Sequence, residues 1–158
     1  MDVTISDYLP AHYVQAVREN LADRDPHDLD IQIEECLKYL LIMSERPGGF
    51  IPLTGPGDEV WHELILQTPD YAALCEALPG RRFIHHRSLS FREYTQMRSQ
   101  EEIVDEFLGW IPEYVGRFGP FTAERAQYWS FCEFLMTARG ITLDQINHIG
   151  ALGSASSR

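Results

Sequence analysis

Basic residues are scarce in this chain: 13 Lys and Arg stand against 24 Asp and Glu, a formal net charge of −11 over 158 residues. Such a surface repels phosphate backbones and anionic lipid, which disfavours nucleic acid and membrane surfaces as partners and favours a basic protein. Cysteine is scarce too. Three cysteines, an odd number, with no recognisable secretory leader predict a reducing, cytoplasmic setting and no disulfide framework. No apolar run approaches the roughly 18 residues that a membrane-spanning helix needs. Nucleotide-binding motifs are missing as well. The one Gly/Pro-rich stretch, Arg46 to Gly57, has neither the Gly-Lys-Ser/Thr ending nor the preceding strand of a phosphate-binding loop. The H-E-x-x-H helix of metalloproteases fails at its last position, because Leu66 stands where the second histidine would follow His62-Glu63.

What is present is a globular composition, 44% hydrophobic and 23% charged, in a length that suits one domain with a sizeable core. The periodicity predicts an all-α fold: a single compact bundle of about six or seven helices over residues 1–152 with one Gly/Pro-rich loop, followed by a flexible tail at 153–158. Tyr13, Val14, Val17 and Leu21 give a helix from about Pro10 to Ala22 one apolar face. Asp25-Pro26, a cap followed by proline, opens a second helix that runs to about Glu45. Its stripe of Leu29, Ile33, Cys36, Leu37 and Leu40 makes it the candidate centre of the bundle. Further on, Ser90–Glu93, Ser99–Glu102 and Thr142–Gln145 are three capping boxes, in which hydroxyl and carboxylate or amide satisfy two backbone donors reciprocally. Pro112 is expected to kink or end the helix that Ser99 opens, with 116–120 a loop, and Thr122 to cap a helix to about Ala138 that buries Met136.

Most residues able to do chemistry gather between Gly57 and His86. Asp58 reads as the cap or first turn of a helix to Leu66, and Thr68-Pro69 as the start of another that buries Tyr71, Leu74, Cys75 and Leu78. At about 100° per residue, Asp58 and His62 lie one turn apart at the border of the apolar face, while Glu59 and Glu63 point the other way. Pro79-Gly80 ends the second helix, and Arg81 to His86 is expected to be extended. Imidazole, thiolate and carboxylate are ligands of zinc and of non-haem iron, so Asp58, His62, Cys75, His85 and His86 form a candidate metal set, with His62 and Cys75 as its inner members. The spacing H-x12-C-x9-H-H matches no zinc-finger pattern. The same residues also read as packing: Asp58 capping, His62 bonded to a carbonyl, Cys75 a small buried hydrophobe, and His85-His86 on a surface turn.

The run Asp58-x-x-Trp61-His62, Tyr71-x-x-x-Cys75 and Phe83-Ile84-His85-His86 resembles the bacterial relatives of the glycine-rich domain-containing protein-like family over about 30 residues. The resemblance implies a small all-helical domain and a meaningful motif, and no particular reaction. The glycine-rich tail that names the plant members is missing here.

Three functions of different classes follow. The first is a small soluble metal-binding domain, holding zinc or iron on the set above. The second is a non-enzymatic acidic interaction module of adaptor or immunity type, with Asp23, Asp25, Asp28, Asp30, Glu34 and Glu35 as a face for a basic protein partner. The third is a helix-turn-helix regulator built on the helices around Gly140, which the lack of Lys or Arg in residues 143–151 disfavours. The Arg46–Gly57 stretch reads as a connector in which Phe50, Ile51 and Leu53 want burial, or as a lid over the site.

Overall fold

The computed structural model describes residues 4–46 and 52–156, with side chains through Gly153. Among them the protein is all-α, with ten helices, no strand, and one isolated antiparallel bridge between Leu53 and Trp129. The chain divides into two compact units, residues 4–46 with 55–86 and residues 52–54 with 87–156. None of the helices is long and apolar enough to cross a membrane.

The first unit holds α1 (Ile5–Tyr8), α2 (Ala11–Asn20), α3 (Pro26–Glu45), α4 (Gly55–Leu66) and α5 (Thr68–Ala77). Asp25 caps α3 by accepting from the backbone N–H of His27 and Asp28, and Pro26 sits in the first turn, where its missing N–H costs nothing. From Ile31 onward α3 is buried nearly all round, which is why its apolar residues lose their one-sided period there. Glu35 is buried as well, 2.7 Å from the ammonium of Lys38, so it is not part of an acidic surface; Asp25 is engaged as a cap and Asp30 pairs with Arg18. The start of α4 also differs from expectation. Gly55, Pro56 and Gly57 already belong to the helix, so Asp58 lies in its first turn and not at its cap, because a proline fits the N-terminal turn of a helix as readily as it breaks a later one. Gln67, with Thr68 already helical, occupies the cap of α5.

The second unit holds α6 (Phe91–Gln96), α7 (Gln100–Phe118), α8 (Ala123–Ala126), α9 (Ser130–Ala138) and α10 (Leu143–Ser156). All three capping boxes form, at Ser90/Glu93, Ser99/Glu102 and Thr142/Gln145. Helix α7 continues past Pro112 to Phe118, so 116–118 are helical, and Gly119 ends it at φ 86. The proline removes one hydrogen bond without ending the helix, and its ring faces α10 where there is no side chain to meet it: a Cβ on Gly153 would lie 2.4 Å from Pro112 Cγ. Gly150 makes the same allowance for Val115, again at 2.4 Å. Packed this way, α10 continues past Leu152 to Ser156, so 153–156 belong to the helix rather than to a tail.

The helix expected from Ala123 to Ala138 is two helices, because Thr54 takes the intervening carbonyls. Its N–H donates to Tyr128 O (3.1 Å) and its hydroxyl to Gln127 O (3.0 Å). Around this break the core is aromatic: Tyr114 stacks on Phe121 at 3.8 Å and meets Trp129 edge-on at 5.2 Å, so Trp110 and Tyr114 are packing residues. Met136, in contrast, lies on the outer side of α9 and is exposed. Leu53 is buried, whereas Phe50 and Ile51, on which the lid reading rests, lie outside the described residues.

Candidate metal centre

One helical turn separates Asp58 from His62, so α4 alone projects a carboxylate and an imidazole from the same border of its buried face. The third member comes from residues 81–90, which form no helix or strand. Gly80 and Arg82 fasten the start of this segment to the C-terminal end of α3. The Gly80 N–H donates to Ser44 Oγ (3.2 Å), Arg82 Nε donates to Ser44 O (3.2 Å), and Arg82 Nη2 donates to Met43 O. Carbonyls at a helix end have no partner within the helix and carry the negative end of its dipole, so a guanidinium there is doubly favoured. Only glycine fits at position 80, since a Cβ would lie 1.6 Å from Ser44 O. Further along, the Tyr71 hydroxyl donates to the carbonyl of buried Ile84, and Phe83 meets the Tyr71 ring edge-on at 5.3 Å. The alternation of an extended chain then turns Ile84 and His86 inward and leaves His85 outside, against Phe83.

His86 arrives against α4 with its ring 4.4 Å from that of Trp61 and 4.4 Å from that of His62. Its Nε2 lies 2.8 Å from Asp58 Oδ1 and 3.0 Å from His62 Nε2, and His62 Nε2 lies 3.3 Å from Asp58 Oδ2. Potential ligand atoms of the three residues all fall within 4.8 Å of one another. The exposures are graded: the His86 side chain is 11% exposed, Asp58 39% and His62 48%. The cluster is walled on the inside by Trp61 and open on the outside.

With the Asp58 carboxylate ionised, no placement of hydrogens makes all three contacts favourable. The carboxylate accepts only, so each imidazole Nε2 must turn an N–H toward it, and the two nitrogens then confront each other donor to donor at 3.0 Å. A cation receiving three lone pairs removes that conflict. Ligand atoms bound at about 2.0–2.2 Å around one ion are separated by about 2.8–3.6 Å for bond angles between octahedral and tetrahedral; the two imidazole nitrogens lie 3.0 Å apart, and each stands 2.8 or 3.3 Å from one of the two Asp58 oxygens.

Of the five residues read from the sequence, the fold brings together Asp58, His62 and His86; Cys75 and His85 stand outside this group. Cys75 is 2% exposed, on the buried face of α5, where its thiol contacts the Tyr71 hydroxyl. Cys36 is likewise buried, and burial, with a further push from the Asp58 carboxylate, drives its thiol well above the ordinary thiol range. The two remaining carboxylates of α4 are occupied elsewhere, Glu59 with Arg24 and Glu63 with Asn20 (2.9 Å). Two contributors were not legible as such, Arg82 and Tyr71. Their signal was chemical: a buried tyrosine or tryptophan needs a partner for its polar atom, and an arginine just beyond a Pro-Gly turn is free to reach a helix end. Trp61 Nε1 donates to the Tyr71 hydroxyl at 3.1 Å, and burial raises that hydroxyl's pKa well above the usual tyrosine value. No family model, no curated protein and no solved structure matches the chain.

Proposed function

We propose that this protein is a metal-binding helical domain of the cytoplasm, with Asp58, His62 and His86 as ligands of one zinc or iron ion. The observation that carries the reading is the convergence of two imidazole nitrogens on a shared carboxylate, a contact that a cation resolves and that no hydrogen placement resolves while the carboxylate is ionised. Two imidazoles and one carboxylate are the protein ligand set of hydrolytic zinc sites with an open position and of the non-haem iron facial triad. The exposed side of His62 and Asp58 leaves room for further ligands from solvent. An ion bound there would supply Lewis acidity toward an oxygen ligand. The chain's own part is to hold three lone pairs in register and, through Trp61, to keep one side of the cluster dry. Glu59 and Glu63, tied to Arg24 and Asn20, are not committed to the ion as acid or base. The same motif residues favour kinship with the glycine-rich domain-containing protein-like family.

The test is elemental mass spectrometry of untagged protein purified without chelator, followed by zinc and iron titrations. Near-stoichiometric metal is expected in the parent and in the His85→Ala and Cys75→Ser variants. His62→Ala and His86→Ala should remain folded and lose affinity by more than about a hundredfold. Retention of metal by both histidine variants, or a parent that takes up neither metal after anaerobic reconstitution, would reject the assignment.

A further inference from the structure

Behind the cluster, three buried polar groups form a chain with one direction. Trp61 Nε1–H donates to the Tyr71 hydroxyl, and that hydroxyl donates to the carbonyl of Ile84. All three residues are almost fully buried. Each end of this chain leads to the cluster. Trp61 adjoins His62 in α4 and presents its ring edge-on to the ring of His86, and Ile84 stands two residues before His86 in the segment that carries it. The Tyr71 hydroxyl is therefore the junction at which α5 fixes both α4 and the 81–86 segment. The segment has no ladder or helix of its own, and before His86 it is tied to the rest of the unit through Gly80, Arg81, Arg82 and Ile84.

Resting on the metal reading above, we infer that Tyr71 is the positioning residue of the centre, its hydroxyl setting the angle and depth at which His86 meets the pair on α4. A phenol suits the task because it is both donor and acceptor. Its acceptor side orients Trp61, and its single hydrogen is then committed to Ile84 O. Replacing the hydroxyl by hydrogen leaves the ring, with its edge contact to Phe83, in place. It strips the Ile84 carbonyl and the Trp61 N–H of their partners together. His86 then remains a ligand in kind but is no longer held at one distance from His62, which is how outer-shell partners tune metal affinity.

The experiment compares the full chain with Tyr71→Phe, using cobalt(II) as probe because its visible absorption bands report the geometry of the ligand set as well as occupancy. The parent is expected to bind cobalt with resolved bands. Tyr71→Phe, folded by circular dichroism, is expected to bind about ten- to a hundredfold more weakly and, at saturation, to show shifted and less intense bands. A purely structural role would lower thermal stability and leave the saturated spectrum alone. Parent-like affinity and spectrum in folded Tyr71→Phe would overturn the positioning role while leaving the metal site standing. A parent that binds no cobalt, zinc or iron would overturn the site itself and this inference with it. Should Tyr71→Phe fail to fold, Trp61→Phe replaces it: it keeps the phenol and its bond to Ile84 but removes the donor that orients them, and about fivefold weaker cobalt binding is expected. Unchanged affinity and spectrum in that variant would count against the role equally.

Discussion

A single hydrogen atom decides what position 80 tolerates. The Cβ that Gly80→Ala would introduce falls 1.6 Å from the backbone oxygen of Ser44, which belongs to the end of α3 and cannot swing aside as a side-chain tip could. Either α3 unwinds at its last turn or the 80–86 segment lifts away. We expect a loss of about 2–4 kcal/mol in urea denaturation at pH 7, with weaker metal binding to match. At the same scale the site was only partly legible. Asp58 and His62 could be paired from sequence because they share one helix, whose period fixes their relative direction. The burial of Cys75 was legible but its place outside the cluster was not, because helical phase gives the side of α5 on which it lies but not what that side meets, which proved to be Tyr71 and the core. Choosing His86 over His85 needed the anchor at Ile84, since alternation distinguishes the two but an absolute phase is required to say which turns inward.

Helix ends are where the sequence spoke most plainly. Asp25 and the three capping boxes were readable because a cap is a contact between residues two or three apart, and nothing distant is needed to make it. Replacing Asp25 with alanine should cost about 1 kcal/mol by thermal or chemical denaturation. The other end of α3 was opaque, for the opposite reason: Arg82 reaches it from 38 positions on. Arg82→Ala should destabilise by about 1–2 kcal/mol, with Arg82→Lys recovering only part, because one ammonium does not reproduce a fork that serves two carbonyls. Helix α7 teaches a related lesson. Pro112 and Gly116 suggested an ending that did not occur, since Pro112 and Val115 are met by Gly153 and Gly150 of α10, a pairing between helices that local pattern does not give. Gly150→Ala, driving a methyl to 2.4 Å from Val115, should cost about 1–3 kcal/mol through overpacking, whereas Gly55→Ala, with nothing within 4 Å, meets no steric cost.

The molecule as a whole buries titratable groups that ionise late. Burial carries the hydroxyls of Tyr13 and Tyr71 and the thiol of Cys36 well above their ordinary values and pushes Tyr94 up to about 12. In every case the folded state holds its proton more tightly than the unfolded chain does. Their contribution to stability is therefore complete below the unfolded values and declines as pH rises from there toward the folded ones. For Tyr94 that window runs from 10.0 to about 12. The urea midpoint should stay level from pH 7 to about 9 and then fall, and Tyr94→Phe should flatten the part of the decline above pH 10. A midpoint that rises through this range would contradict the assignment of these groups to the core.

The bond from Thr54 to Gln127 joins residues 73 positions apart, and in both Leu53 and Thr54 a stretch placed between two helices of the first unit finds its partners in the second. Synthesis runs in one direction. At about 5–20 residues per second, the 73 positions between Thr54 and Gln127 take roughly 4–15 s to emerge, long compared with the folding of small helical domains. On a ribosome, α1 to α5 with the histidine cluster are complete as soon as His86 clears the exit, while Leu53 and Thr54 wait for a carbonyl and a tryptophan that have not yet been made. The order of synthesis is thus written into the connectivity, with the candidate metal ligands made before the bridge at Trp129 can close.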